Sequence, residues 1–414
     1  MGEHSQPLDL EEALYRIRQD LNPVTESEVI ATGVASGRIL ASTVNAPLNL
    51  PPFRASAMDG YALRLDEDAI QAAQPYEIVG ESLAGHPWSG TLAPGQCARV
   101  FTGAVVPEGA NQVIPQEEVR AREGNRVFFS GHQPSEKFVR PIGHDVAQGA
   151  VLLPAGTYLS AFAIGTLITA GVQHVTVRRK LRVGVFSTGD ELVDLSVSAQ
   201  ALKPGQIYDS NRATVLALLA NEPCELSDLG RIPDEHAATE AALTAGAEKC
   251  DFLITSGGVS VGDADFVTRS IRQLGQLEFW KLNLKPGKPL AMGRIGECVL
   301  LGLPGNPVST IVTLLLVAKP AIRHVAGDTR RTSLIAAQAE LTTPLRHAPG
   351  RAEFQRGTAE MTQGRIFVAS TGDQASNRMS SFTQSNCLIH IPKEAGDLTA
   401  GTRVEILPFE GLLA

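Results

Sequence analysis

Carboxylates, lysines and glycines recur in this chain where short apolar runs end. The plainest case is Asp251-Phe-Leu-Ile-Thr-Ser-Gly-Gly-Val-Ser-Val-Gly-Asp-Ala-Asp265. Phe252 to Ile254 read as a buried strand, and Gly257, Gly258 and Gly262 permit positive φ and let backbone N–H groups approach a ligand closely. Asp263 is placed to cap a following helix, whose apolar residues Val267, Ile271 and Leu274 recur at helical spacing until Gly275 ends it. A loop at the carboxyl end of a strand, facing a helix N-terminus, is where open α/β sheets hold anions such as phosphate. Asp265, in the first turn, has two readings: favourable charge against the helix dipole, or a ligand for a divalent cation bridging to the phosphate.

The same punctuation returns three times. Leu181 to Phe186 form a strand that runs into Ser187-Thr-Gly-Asp-Glu-Leu192, so Gly189, Asp190 and Glu191 occupy a second loop. If Phe279-Trp-Lys-Leu-Asn-Leu-Lys-Pro-Gly-Lys288 is a strand, Trp280, Leu282 and Leu284 share one face while Lys281, Asn283 and Lys285 aim together from the other. Pro286-Gly287 then turns and Lys288 follows; the bland alternative is a half-exposed edge strand with solvated lysines. Cys298 to Leu303 end in Pro304-Gly-Asn-Pro307, where Asn306 at the N-cap and Pro307 at N1 start a helix through Leu316. Three further candidates lie outside these loops. Asp59-Gly60 is an ordinary hairpin signal, Thr102-Gly103 is either a plain β turn or a hydroxyl beside bare backbone, and Arg140-Pro-Ile-Gly-His-Asp145 pairs an arginine with a carboxylate, as surface ion pairs also do.

The elements that must position these groups follow from pattern. Leu10, Leu14, Ile17 and Leu21 stripe a first helix, opened by Asp9 and Glu12 in a capping-box arrangement, and a second amphipathic stretch covers about 27–50. From about 54 to 143 short β-like runs separated by Gly and Pro indicate an inserted β domain. Helical patterning resumes through Leu152 to Ala170 and is closed by Gly171. Strands and helices then alternate from about 178 to 325, the mark of a parallel sheet with crossover helices. Tyr208-Asp-Ser-Asn211 caps one of these helices and Asp234-Glu235 opens another. After about 330, short strands at Leu334–Leu341, Arg351–Arg356, Arg365–Val368 and Cys387–Ile391 read as a small β barrel or sandwich. The fold class is therefore α/β and β, in several domains.

Composition sets the outer limits. At 414 residues the chain has room for about two to four domains, and 43% hydrophobic with 19% charged residues is the balance of a soluble globular protein. With 36 basic against 44 acidic residues the net charge is −8, so no global basic field draws nucleic acid or an anionic membrane, and an anionic ligand needs a local basic pocket. Cys97, Cys224, Cys250, Cys298 and Cys387 are scattered and never form C-x-x-C, which suggests small core residues in a reducing cytoplasm. The opening Met-Gly-Glu-His-Ser-Gln lacks the features of a signal peptide, and the longest apolar run, near Ile311 to Ala318, is too short to span a bilayer. A soluble cytoplasmic protein is expected.

Taken together, Ser56-Ala-Met-Asp-Gly-Tyr-Ala62, Thr102-Gly-Ala104, Ser187-Thr-Gly-Asp-Glu-Leu192, Ser256-Gly-Gly-Val-Ser-Val-Gly262, Trp280-Lys-Leu-Asn-Leu-Lys-Pro-Gly-Lys-Pro289 and Leu303-Pro-Gly-Asn-Pro307 give the chain a specific likeness. It resembles, over nearly its whole length, the MoeA family, molybdopterin molybdenumtransferase, whose eukaryotic relatives include the gephyrin E domain. The resemblance implies an elongated homodimer with a central MogA-like α/β domain. It places an N-terminal linking domain at 1–53 and 144–177, an inserted β domain at 54–143, the molybdopterin-binding α/β domain at 178–328 and a C-terminal β domain at 329–414. The implied reaction takes adenylylated molybdopterin and molybdate, inserts the metal between the dithiolene sulfurs and releases AMP, with Mg²⁺ held by Glu191, Asp234 and Asp265. Implied catalytic residues are Asp59, Thr102, Glu191, Asp265, Lys281 and Lys285. Implied substrate contacts are Asp145, Asp234, Ser256, Gly257, Gly258, Ser260, Lys288, Pro304, Gly305 and Asn306, with Arg140, Arg356 and Ser376 beside them and molybdate near the last domain. A MogA-like adenylyltransferase and the molybdopterin synthase pathway are the implied partners. Pro141, His144 and Asp373 depart from the family pattern. Two rivals remain: a gephyrin-type peptide-binding scaffold, against which the full acidic and lysine set speaks, and a nucleotide-binding hydrolase, where Asp59, Thr102 and a C-terminal β domain are not expected.

Overall fold

The computed structural model describes residues 7–65, 74–130, 137–258, 266–330 and 336–413. A six-stranded sheet runs in the order Cys224–Ile232, Leu181–Thr188, Phe252–Ser256, Cys298–Leu303, Pro289–Ile295, Gln276–Lys281. The first four strands are parallel and the last two form an antiparallel edge. Alternate side chains enter different cores, as a sheet covered on both faces requires. Val183, Val185, Phe252, Ile254, Leu301 and Leu303 face one hydrophobic cluster with helices Ser210–Leu219 and Leu10–Asp20. Phe186, Leu253, Cys298 and Leu300 face the other, with helices His236–Lys249 and Phe266–Leu274.

The helix at Pro307 continues past Leu316 to Val325 as a 19-residue segment that contains one π-helical stretch, Leu314–Ala318. By length and hydropathy it could cross a bilayer, which the shorter apolar run read from sequence could not. Its apolar window is nonetheless 89% buried inside the protein. Two charges within it are satisfied locally: Lys319 Nζ lies 2.9 Å from Glu222 Oε1, and Arg323 Nε lies 2.6 Å from Glu222 Oε2. Helix Leu10–Asp20 packs against this core helix through Ala13 and Ile17. Its expected capping box is not formed. Asp9 makes no cap hydrogen bond, and Glu12 instead accepts from Arg16.

Three smaller units complete the chain. Residues 27–31 form a strand paired with His174–Arg178, and helix Ala161–Thr169 follows a strand at Val151–Leu153; Pro154 and Gly156 delay its start until Ser160, whose hydroxyl accepts from the Ala163 N–H. The inserted β domain is one six-stranded sheet, with Gly60–Leu63 between Gln112–Pro115 and Gln96–Val100. In the C-terminal region, Ala352–Thr362 pairs with both Arg365–Ser370 and Cys387–Ile391, which closes the sheet into a barrel. The five cysteines are free and buried.

Candidate active site at the carboxyl ends of the parallel strands

Three strand-end loops meet at one place. Gly257 and Gly258 adopt φ of 93° and 67°. A Cβ on Gly257 would lie 2.8 Å from the Thr188 carbonyl oxygen, and one on Gly258 would lie 2.5 Å from Val267 Cγ2, so only glycine allows this loop to fold back on its neighbours. From the other side Gly305 comes up against Gly257. Asn211 stitches the assembly: its Nδ2 donates to Ser256 Oγ and to the Gly305 carbonyl, each at 2.7 Å. The same turn fixes the third loop, because Ser187 Oγ donates to Asp209 Oδ2 at 2.5 Å. Asp209 also accepts from the Arg212 N–H at 3.2 Å, the expected helix cap, and Arg212 is in turn paired with Asp194 and Asp228.

An acidic group adjoins these loops. The Glu191 carboxylate lies over Gly189, where an added Cβ would sit 2.7 Å from Oε2, and Asp190 Oδ1 accepts from the Asp234 N–H at 3.3 Å. Burial pushes the Asp234 carboxyl up, and the charges of Asp190 and Glu191 push it further against a weaker pull from Arg231. Such a group is short of positive charge and suits a divalent cation. No trio of possible metal ligands converges among the described residues. Asp265 and Ser260, expected to complete the loop, lie outside those residues.

Lysines stand at the same end of the sheet, on an excursion from its edge strand. The expected continuous strand over 279–288 breaks after Lys281, which pairs with Pro289; Leu284–Lys285 then joins the barrel beside Ala352 and Glu353. The Leu282 N–H to Lys288 carbonyl bond, 2.8 Å, closes the loop at its base. Lys281, Lys285 and Lys288 are exposed while Leu282 and Leu284 are buried, so the alternation holds even though the pairing does not. Asn283 is not a member of a free row, because its Nδ2 donates to Asp9 Oδ1 at 2.9 Å.

The C-terminal region touches the same place through Ser376, whose carbonyl accepts from the Val308 N–H at the start of the core helix. Pro304 is held there too, accepting from Thr310 Oγ1 at 2.6 Å, while the Asn306 side chain makes no cap bond. Arg356 does not offer its guanidinium to a ligand. It is fully buried and donates to Ser381 Oγ and to the Gln374 and Ala375 carbonyls, which shapes the loop leading to Ser376.

Asp59 and Thr102 are brought together in the inserted β domain. Both the N–H and the hydroxyl of Thr102 donate to Asp59 Oδ1 at 2.8 Å, and these two bonds hold the Asp59 carboxyl below the usual carboxylate range. Arg140 lies on the strand next to Ala55–Ser56, and Asp145 is exposed, with no ion pair joining the two among the described residues. The hydrogen bonds of Asp59 and Thr102 stay within their own domain.

Comparison with known proteins agrees with this layout. Residues 8–171 match the MoeA N-terminal region (domain I and II), 184–324 match a probable molybdopterin binding domain, and 338–409 match the MoeA C-terminal region (domain IV). The molybdopterin molybdenumtransferase of Haemophilus influenzae is 40% identical over 98% of this chain and 100% of its own length. The chain belongs to the molybdopterin molybdenumtransferase family. A gephyrin from Dictyostelium discoideum is 32% identical over 96% of this chain and 62% of the gephyrin. The crystal structure of the molybdopterin biosynthesis MoeA protein from Pyrococcus horikoshii OT3 is 27% identical, with a TM-score of 0.81 over 97% of this chain and 99% of that one. Within this molybdenumtransferase-family chain, sequence reasoning missed Asn211 as a link between loops. It read the residue as part of a cap, and an Asn two residues beyond a capping Asp carries no local signal of a contact across the sheet.

Proposed function

We propose that this chain inserts molybdate into adenylylated molybdopterin and releases AMP, as the final transfer of molybdenum cofactor synthesis. The observation that carries the reading is the meeting of the Ser187–Glu191, Ser256–Gly258 and Pro304–Asn306 loops at the Asn211 turn, in a chain of this family. In this reading the Gly258 backbone N–H receives the phosphate, the Gly257 N–H being bound to the Leu303 carbonyl at 3.2 Å, and Lys281, Lys285 and Lys288 balance the charge of the anionic substrates. Glu191, Asp234 and Asp265 would hold Mg²⁺; the raised Asp234 carboxyl supports a cation there. When bound, that ion would neutralise charge on the phosphoanhydride as AMP departs. Ser376, held at the foot of the core helix by a loop that Arg356 shapes, stands on the side where molybdate is expected.

The working form is proposed to be a cytoplasmic homodimer supplied by a MogA-like adenylyltransferase. Supporting the dimer, helix Ala161–Thr169 exposes Phe162 at 89% and Ile168 at 57% on either side of Gly165, next to open Val34 at 74%. Asp59 and Thr102 would then serve the partner's site. The test is AMP release from adenylylated molybdopterin, with and without molybdate and with EDTA. Full activity in EDTA, or molybdate-independent release at the full rate, refutes the coupled mechanism.

A further inference from the structure

Lys285 stands apart from its two neighbouring lysines. Its Nζ lies 3.1 Å from Glu353 Oε1, with the lysine side chain 47% exposed and the glutamate 3%. The other carboxylate oxygen, Oε2, is 2.8 Å from His347 Nδ1, on a ring that is 1% exposed. An Nδ1–H that donates to Glu353 leaves Nε2 as an acceptor, and this buried nitrogen has no protein hydrogen-bond partner among the described residues. With one carboxylate oxygen held by the buried His347 ring and the other facing Lys285, the orientation of Glu353 is fixed from the barrel side. Glu353 lies on the Ala352–Thr362 strand of the barrel, in register with Lys285 on the excursion from the α/β sheet. A single carboxylate contact occupies part of an ammonium, which has three donors, and the exposed remainder faces solvent.

We infer that Glu353, oriented by His347, is a positioning residue for Lys285: the barrel sets where one cation of the α/β site stands. This rests on the proposed role of Lys285 in binding an anionic substrate. Holding the lysine in advance removes the ordering that a free side chain undergoes on binding, which corresponds to roughly 2- to 10-fold in affinity.

The experiment measures kcat and KM for molybdate and for adenylylated molybdopterin in wild type, Lys285→Gln, Glu353→Gln and the double variant. Lys285→Gln identifies which KM depends on the lysine. Glu353→Gln is expected to raise that same KM about 2- to 10-fold while kcat stays within about twofold, and the double variant to match Lys285→Gln alone, because coupled residues are non-additive. An unchanged or lower KM in Glu353→Gln, or a loss that adds fully to that of Lys285→Gln, overturns the inference. If Lys285→Gln itself changes neither constant, the reading of Lys285 fails and the inference falls with it, a different result from failure at Glu353 alone. Should Glu353→Gln not fold, Glu353→Met with His347→Leu leaves neither buried polar group behind and carries the same comparison.

Discussion

Replacing Asn211 by alanine should damage the site far more than the fold. The substitution removes two 2.7 Å hydrogen bonds. Their acceptors differ in burial: Ser256 is 3% exposed, so its hydroxyl loses a partner in a largely buried position, whereas the bond to the Gly305 carbonyl is exposed. Leaving a buried hydroxyl unsatisfied costs about 1–3 kcal/mol and a solvent-replaceable bond about 0.5–1 kcal/mol, so the α/β unit should lose about 1.5–4 kcal/mol in urea unfolding. The strands themselves keep their ladders and both hydrophobic clusters. Activity responds to geometry instead: once the three loops are no longer tied, a displacement of about 1 Å at the Gly258 amide proposed to receive the phosphate should lower kcat/KM by about 100-fold. Asn211→Asp sharpens the test. Ser256 can rotate its hydroxyl to donate to the new carboxylate, but the Gly305 carbonyl then faces a second acceptor, so this variant should keep its stability better than Asn211→Ala and still be slow. An Asn211→Ala enzyme with wild-type kcat/KM would show that the loops hold their positions without the stitch, and would refute Asn211 as the residue that assembles the site.

Two further outcomes are expected. A carboxyl whose native pKa is raised binds its proton more tightly when folded, so Asp234 lowers stability progressively as pH rises above 3.8. Asp234→Asn should therefore be more stable than wild type at pH 7 without metal, with the gain vanishing below the usual carboxylate range, and Mg²⁺ should raise the melting temperature of wild type but not of the variant. A doubly tagged dimer of Asp59→Asn with Asp265→Asn should recover about half of wild-type AMP release, since one of its two sites holds both aspartates; a mixed dimer as inactive as its parents would mean that Asp59 serves its own subunit's site or that one of the two aspartates is structural, and would refute the shared site.

Much of this arrangement can be read from local punctuation. Glycines after buried strands mark loops because positive φ is a property of one residue, and Gly257 and Gly258 adopt it. The apolar runs at 181–186, 252–254 and 298–303 announce a sheet buried on both faces for the same reason. Contacts made across the chain leave no such trace. Lys281 and Lys285 alternate as one strand would, yet they belong to different sheets, because the barrel strand at Ala352 captures Leu284–Lys285. The sequence pattern carries the core helix only through Leu316; it runs on to Val325 with Lys319 and Arg323 inside it, because Glu222, far along the chain, pairs with both. The Asp9 and Glu12 spacing fits a capping box, but Asn283 and Lys393 take the Asp9 carboxylate first.

The seat of helix Leu10–Asp20 has a consequence for synthesis. Its buried face rests on the core helix that begins at Pro307, and Asp9 bonds to Asn283 across 274 residues. At about 5–20 residues per second, a ribosome needs on the order of 14–55 s to make that separation. The helix thus leaves the exit tunnel well before the core helix on which it rests. Meanwhile the inserted β domain, whose strands pair within a span of neighbouring sequence, can complete its own sheet. Nascent chains arrested before Pro307 should therefore keep the Leu10–Asp20 segment protease-sensitive, and chains extended past Val325 should protect it.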